Sequence, residues 1–401
     1  MSAPVDASAA ERLAALAHQA DRDGDWAAAW ALAQRLATMM PTHPQPQVIA
    51  ARAAFAMGRL DDAARAADAA LVRAPEAFAA MLVRADVAEA RGASEHALRL
   101  RMSALALAEA QRGRGVSSRV AEALERAVAS VNAAMGRVVD AALAPFEASH
   151  GHEAVRRIRA AGERFAGRQA FEPDHPDWRP GLMYIPGLEP RHWYDRAEFD
   201  WVADVEAETA TIRAELLAVM SDAEGFTPYI NDPPGSRGAE YWAALNRSTD
   251  WSAFHFARRG RSFDNNRRRC PRTAAVLDRL PLMRVPGYAP EPMFSVLKPK
   301  TRIPPHYGSV NGRLVVHLPL IVPPDCGALK AGVEARSWVE GRIMVFDDAA
   351  LHEAWNDSEQ TRVVLIFDIW NPQLAAVERE AFSALLQAAQ AFERAGRPAT
   401  G

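Results

Sequence analysis

Cysteine is almost missing from this chain: two among 401 residues, Cys270 and Cys326. Two are too few for a disulfide framework or a cysteine-based zinc site, and each is expected as a buried free thiol. No sign of charge dominates either, since 47 Lys and Arg stand against 50 Asp and Glu for a net −3. That balance gives no footing for nucleic acid or an anionic membrane surface. Long apolar runs are absent too: no stretch approaches the roughly 20 uncharged apolar residues that a bilayer span needs. The N-terminus has no basic start followed by an apolar core. A cytoplasmic protein with no transmembrane segment is therefore expected. What is present, 49% hydrophobic and 24% charged residues, is the mixture of a soluble globular chain long enough for two domains.

The composition changes sharply along the chain. The first 145 residues are packed with Ala, Leu and Arg, whereas eight of the ten tryptophans lie beyond residue 177. In the first part Gly24, Gly58 and Gly92 recur at one constant spacing. Ala29, Ala63 and Ala97 follow them at one offset, and Pro41 and Pro75 recur at the same period, though Glu109 stands where a third proline belongs. A glycine turn, small residues where helices touch and a closing proline define a helix pair that stacks on its copies. The pattern resembles the tetratricopeptide repeat; an Ala-rich bundle with chance spacing is the plainer alternative. We therefore expect a helical repeat domain over 1–140 that serves as a surface for a protein partner.

From about 141 to 185 the helical pattern fades into a Gly-, Pro- and Asp-rich linker or strapping segment. His150 and His152, at i and i+2 beside it, read as solvated rather than ligating. Over 186–375 short runs rich in Val, Ile, Leu and Phe are bounded by Pro, Gly, Asp and Asn, with no helix-length pattern between those of the 292–373 stretch. This predicts an antiparallel sheet folded on itself, a jelly-roll double sheet, with a C-terminal helix and tail over 376–401. The whole is a multidomain α + β chain. Barrels of this kind hold ligands between their sheets, so polar residues at inward positions are informative.

The stretch PPHYGSVNGRLVVHLPL, residues 304–320, carries His306 and His317. His352 follows in FDDAALHEAWND, and Arg362 opens the last strand ten residues later. Imidazole suits iron, and open iron sites take two histidines and one carboxylate on one face. Two residues after His306, where that carboxylate usually stands, is Gly308. From the residues alone each histidine is as well read as a hydrogen-bonded core residue, and Arg362 as half of a salt bridge to Asp347, Asp348 or Asp368.

The longer string from PHYGSVNGRLVVHLPL to TRVVLIFDIWNP resembles the catalytic core of the aspartyl/asparaginyl β-hydroxylase family, closely over its whole length and more loosely through WSAFHFARRGRSFDNN upstream. The resemblance implies a double-stranded β-helix dioxygenase using Fe(II), 2-oxoglutarate as cosubstrate and O2. Its implied metal ligands are His306 and His352, with Gly308 in the vacant carboxylate place; an aspartate at 308 would then supply the third ligand. Arg362 and Ser295 would hold the distal carboxylate of 2-oxoglutarate, and His317 would contact the cosubstrate rather than the metal. Arg313 and, more loosely, Arg261 would face substrate. Asp348 would orient a metal-bound water or a ligand imidazole from outside the ligand set.

One departure is Val315, where the animal enzyme has an arginine that helps hold the cosubstrate. The reaction implied is hydroxylation at the β-carbon of an aspartyl or asparaginyl residue in a peptide or protein, or of a related amino acid, releasing succinate and CO2. Two alternatives stand beside it: a lipid acyl-chain hydroxylase of the same family, and a catalytically inactive repeat adaptor that binds a peptide.

Overall fold

The computed structural model describes residues 7–111, 115–222, 224–234 and 236–396. It divides into two compact units, residues 1–135 with 391–401 and residues 136–390. The tail of the expected C-terminal segment, 397–401, lies outside the described residues.

The first unit is built from helix pairs: α1 (Ala7–Asp23) with α2 (Trp26–Met39), α3 (Gln45–Ala56) with α4 (Leu60–Arg73), and α5 (Phe78–Ala90) with α6 (Ser94–Ala110). Gly24, Gly58 and Gly92 sit in the turn within each pair at φ of 78°, 74° and 75°. That left-handed backbone carries little penalty only for a residue without Cβ, which explains why the glycine returns in every pair. Ala29, Ala63 and Ala97 are wholly buried where the helices meet. The stacked pairs are the expected tetratricopeptide-like architecture.

The next helix, α7, spans Ser118–His150 and so runs straight through residue 140. A further helix, α8 (Arg156–Phe165), lies inside the segment read as a linker. By length and composition α7 is long and apolar enough to cross a membrane, where no such stretch was expected. It carries Arg137, and Asp140 accepts hydrogen bonds from Arg159 and Arg168.

Among the described residues the second unit holds thirteen strands: β1 (Trp193–Tyr194), β2 (Phe226–Pro228), β3 (Trp251–His255), β4 (Ala257–Arg258), β5 (Arg261–Ser262), β6 (Met293–Leu297), β7 (Thr301–His306), β8 (Arg313–Ile321), β9 (Leu329–Ala331), β10 (Glu334–Arg336), β11 (Met344–Phe346), β12 (His352–Asn356) and β13 (Arg362–Trp370). Seven of them form one antiparallel sheet in the order β1-β11-β8-β13-β6-β3-β2. Four form a second, β10-β9-β12-β7, and β4 and β5 make a separate hairpin.

Alternation along β8 and β13 separates two cores, as the two-residue period of a strand requires. Val363, Leu365 and Phe367 pack outward with Leu314, Val316 and Leu318 against Ile212, Leu216 and Leu277 of the covering helices. Val364 and Val315 face the other way and pack with Ile303, Leu329 and Ala354 of the smaller sheet. The space between the two sheets is where inward polar residues meet.

Candidate active site

Strand β7 ends and β12 begins on facing residues: His306 pairs with His352 in the register, their ring centroids 4.1 Å apart. β7 is the edge of its sheet, where Pro304 and Pro305 forfeit no ladder bond that the fold needs. His306 Nδ1 lies 2.9 Å from the Pro304 carbonyl and His352 Nδ1 3.0 Å from that of Ala350. A carbonyl only accepts, so both Nδ1 atoms carry the proton and both Nε2 atoms keep a lone pair. Burial pushes His306 down to about 3 and lowers His352, so both imidazoles are neutral, as metal ligands must be.

His317 has the opposite tautomer. Trp338 Nε1, which can only donate, reaches His317 Nδ1 at 3.3 Å, so the ring proton sits on Nε2. Burial and then the Arg362 charge hold its pKa well below the ordinary value. His317 is thus a neutral hydrogen-bond donor through Nε2, a distinction that two histidines eleven residues apart did not contain.

Arg362 is 1% exposed, and its Nε and Nη1 have no hydrogen-bond partner. Burial pushes it down to about 10, still charged at neutral pH. The acids with which a salt bridge was the alternative are engaged elsewhere. Asp347 accepts from Trp178 Nε1 at 2.8 Å, Asp348 from Arg313, and Asp368 from the Glu291 N–H. What Arg362 does have is the Trp338 ring, 4.5 Å from its guanidinium carbon. A buried guanidinium without an anion is costly, and a ligand carboxylate is the partner that its fork fits. Ser295, beside it on β6 and in register with Val364, accepts from Trp251 Nε1 at 3.2 Å, which leaves its hydroxyl proton to donate.

Gly308 is not an open place in the ligand set. A Cβ built there would lie 2.2 Å from Asp348 Oδ2 and 2.3 Å from its Cγ. The volume that a side chain at position 308 would need is therefore taken by the Asp348 carboxylate. Arg313 Nη2 donates to its Oδ2 at 2.7 Å, while Oδ1 is buried with no partner. Among the described residues no three His, Cys, Asp or Glu side chains gather as a metal site, so the histidines stand as a pair. Two neutral Nε2 donors with a constrained carboxylate beside them fit an iron that keeps coordination positions for cosubstrate and oxygen.

All these side chains line one cavity of about 290 Å³: His306, His352, His317, Arg362, Ser295, Arg313 and Asp348. Val315 lines it too, an aliphatic wall next to His317. Arg261 does not. It lies exposed on the β4–β5 hairpin, because the two-residue strands there turn away from both sheets. His152 is exposed and bonded to Glu147, and it takes no part.

Sequence reasoning gave no chemistry to Trp338, which both sets the His317 tautomer and covers Arg362. It also passed over Trp251, Trp242 (edge-on to His306 at 5.1 Å) and Glu291, and gave Asp368 only the place of a possible partner for Arg362. None of these stands at a spacing that points to the site. Only the inward parity of Asp368, six residues after Arg362 on one strand, was there to be read.

Comparison with known proteins matches the same part of the chain. Residues 206–372 match the sequence model of the family described as Aspartyl/Asparaginyl beta-hydroxylase. Human aspartyl/asparaginyl beta-hydroxylase is 30% identical over 213 residues, 52% of this chain and 26% of that protein. The ornithine lipid ester-linked acyl 2-hydroxylase of Rhizobium tropici is 34% identical over 184 residues, 45% of this chain and 60% of that one. Mouse aspartate beta-hydroxylase domain-containing protein 2 is 39% identical over 137 residues, 33% and 40% of the two chains. The chain thus spans from about a quarter to three fifths of these relatives. A Pseudomonas putida prolyl-4-hydroxylase structure aligns at a TM-score of 0.24 and 16% identity over 42% of this chain and 98% of that one, too distant to bear on the site. Residues 206–372, which hold both histidines, Arg362 and the cavity they line, are thus the part of this chain that is similar to the aspartyl/asparaginyl β-hydroxylase family.

Proposed function

We propose that this protein is an Fe(II)- and 2-oxoglutarate-dependent dioxygenase that hydroxylates the β-carbon of an aspartyl or asparaginyl residue, or of a related amino acid. The observation that carries the reading is a buried, unpartnered Arg362 in one cavity with two histidines whose Nε2 lone pairs are exposed by their tautomers. His306 and His352 would hold the iron. Arg362, with the Ser295 hydroxyl, would grip the distal carboxylate of 2-oxoglutarate, and His317 Nε2–H would donate to the same cosubstrate. Bound together, iron, 2-oxoglutarate and O2 supply the oxidant that inserts one oxygen into a C–H bond, leaving succinate and CO2. The apolar lining, Val315, Ile303, Leu329 and Phe346, keeps water from the reacting centre.

The test is succinate formation by purified protein with Fe(II), ascorbate and 2-oxoglutarate, first alone and then with Asp-containing peptides. His352→Ala should reduce it to background. Wild-type protein that forms no succinate under either condition overturns the oxygenase reading. A second reading, hydroxylation of a lipid acyl chain, is favoured by the 34% identity to the Rhizobium acyl 2-hydroxylase. Substrate-stimulated succinate with an ornithine lipid and not with peptides would select it.

A further inference from the structure

At the end of the cavity away from Arg362 a buried carboxylate oxygen meets no hydrogen-bond donor of the protein. Asp368 stands six residues along β13 from Arg362 on the same inward face, roughly 20 Å away at the rise of a strand. It is 3% exposed and lines the cavity. Its Oδ1 accepts the Glu291 backbone N–H at 3.0 Å, whereas its Oδ2 is buried with no hydrogen-bond partner.

No neighbouring cation hydrogen-bonds to Asp368. Arg313, whose charge favours ionised Asp368, donates through Nη2 to Asp348 at 2.7 Å and keeps its buried Nε without a partner, and Arg258 meets Glu291 at 3.1 Å. His255, 3.9 Å from Glu291, is held neutral by burial. Directly across from Asp368 in the sheet register is Val315, which brings no cation. Cross-strand partners on one face are the nearest side-chain neighbours that a sheet provides, and the cation on that face, Arg313, stands one diagonal step further along β8. Among the described residues the lining contains three carboxylates, Glu291, Asp348 and Asp368, against Arg313 and Arg362. On the reading above, Arg362 is taken by the cosubstrate.

We infer that the substrate carries a primary ammonium group and that Asp368 receives it, with Glu291 as a second carboxylate at the same end. This deepens the proposed oxygenase reading and rests on it. The ammonium supplies what the fold leaves out, a donor and a positive charge for a buried carboxylate oxygen, and its pairing sets how far the reacting carbon lies from the histidine pair. A lysine-type side chain of a peptide and an ornithine lipid headgroup both present this chemistry.

The experiment uses full-length protein loaded with Mn(II) and 2-oxoglutarate, in which oxygen chemistry is idle, and reads binding by calorimetry. One arm compares Nα-acetyl-L-lysine amide with its Nε-acetylated counterpart. The other compares an ornithine-headed lipid in micelles with the same lipid acetylated on the amine. The expected result is at least tenfold tighter binding of the cationic member in one arm, and that arm names the source. Asp368→Asn, which keeps the Oδ1 acceptor, should remove the preference. Should that variant fail to fold, Val315→Lys, which places a counter-ion opposite Asp368, should remove it instead.

Equal binding within both pairs, no binding in either arm, or a preference that survives these substitutions overturns the inference. Because binding is read without turnover, wild-type succinate formation judges the oxygenase reading separately.

Discussion

At Gly308 one missing side chain decides what stands beside the histidine pair. An aspartate there reads, in one dimension, as the restoration of a third ligand. In space its Cβ would fall on the Asp348 carboxylate at 2.2 Å, bringing overlap and like-charge repulsion in a buried setting. Gly308→Asp should therefore loosen metal binding and cost on the order of 3 kcal/mol of stability. Adding Asp348→Gly should recover both, because it vacates the volume; melting temperatures and Mn(II) affinities of the two variants would check this. Arg362→Ala should weaken 2-oxoglutarate binding about tenfold or more, the worth of a charge-assisted pair. Its fold should hold, since the residue makes no hydrogen bond to protein from Nε or Nη1. Saturation by 2-oxoglutarate at the wild-type concentration would remove Arg362 from the site.

Among the elements, the turn from β12 to β13 places Arg362 and is itself clamped by one amide. Asn356 Nδ2 donates to the carbonyls of Leu297, Lys298 and Gln360 at 2.8–3.1 Å, and its Oδ1 accepts from Ser358. One buried side chain thus joins the ends of β6, β12 and β13, the three strands that carry Ser295, His352 and Arg362. Asn356→Ala leaves those carbonyls unsatisfied and should cost about 2–3 kcal/mol. It should also raise the 2-oxoglutarate concentration needed for half-saturation, since Arg362 and Ser295 lose their common anchor. A variant with lowered stability and unchanged saturation would show that strand pairing alone sets the register.

For the whole molecule, His255 couples stability to acid. It is buried without a partner on either nitrogen, and burial followed by the Arg258 charge pushes its pKa from 6.5 down to about 4. The unfolded chain takes up this proton near pH 6.5 and the folded chain only near 4, so stability is lost as pH falls through that window. His255→Phe should blunt the loss by about 3 kcal/mol at 1.4 kcal/mol per unit; melting temperatures of both proteins at pH 7.5 and 4.5 measure it. The helix pairs suggest a separate test. Stacked pairs suit extended polypeptides, so deleting residues 1–111 should impair turnover of a long peptide more than uncoupled 2-oxoglutarate consumption. Equal effects on both would detach the repeats from substrate capture.

Local physics was legible in the chain by itself. A glycine with positive φ in the turn of every helix pair, small residues at one offset and the two-residue alternation of β8 and β13 are backbone and packing demands that recur at constant spacing. From them the stacked helix pairs and the antiparallel double sheet follow, and His306, His352 and Arg362 stand out as polar residues on inward strand positions. Tertiary structure decided which nitrogen each histidine presents, because the rings of His306 and His352 turn back to the carbonyls two residues before them, Pro304 and Ala350, whereas that of His317 meets Trp338, 21 residues away. It also decided that Asp348 occupies the space beside Gly308, from which it is remote in the chain, that Arg261 stays outside, and that Asp368 Oδ2 is buried with no hydrogen-bond donor. Hydrogen bonds and charges act over a few ångströms regardless of sequence separation, so the site's protons and its unpartnered carboxylate oxygen existed only once the two sheets had closed on each other.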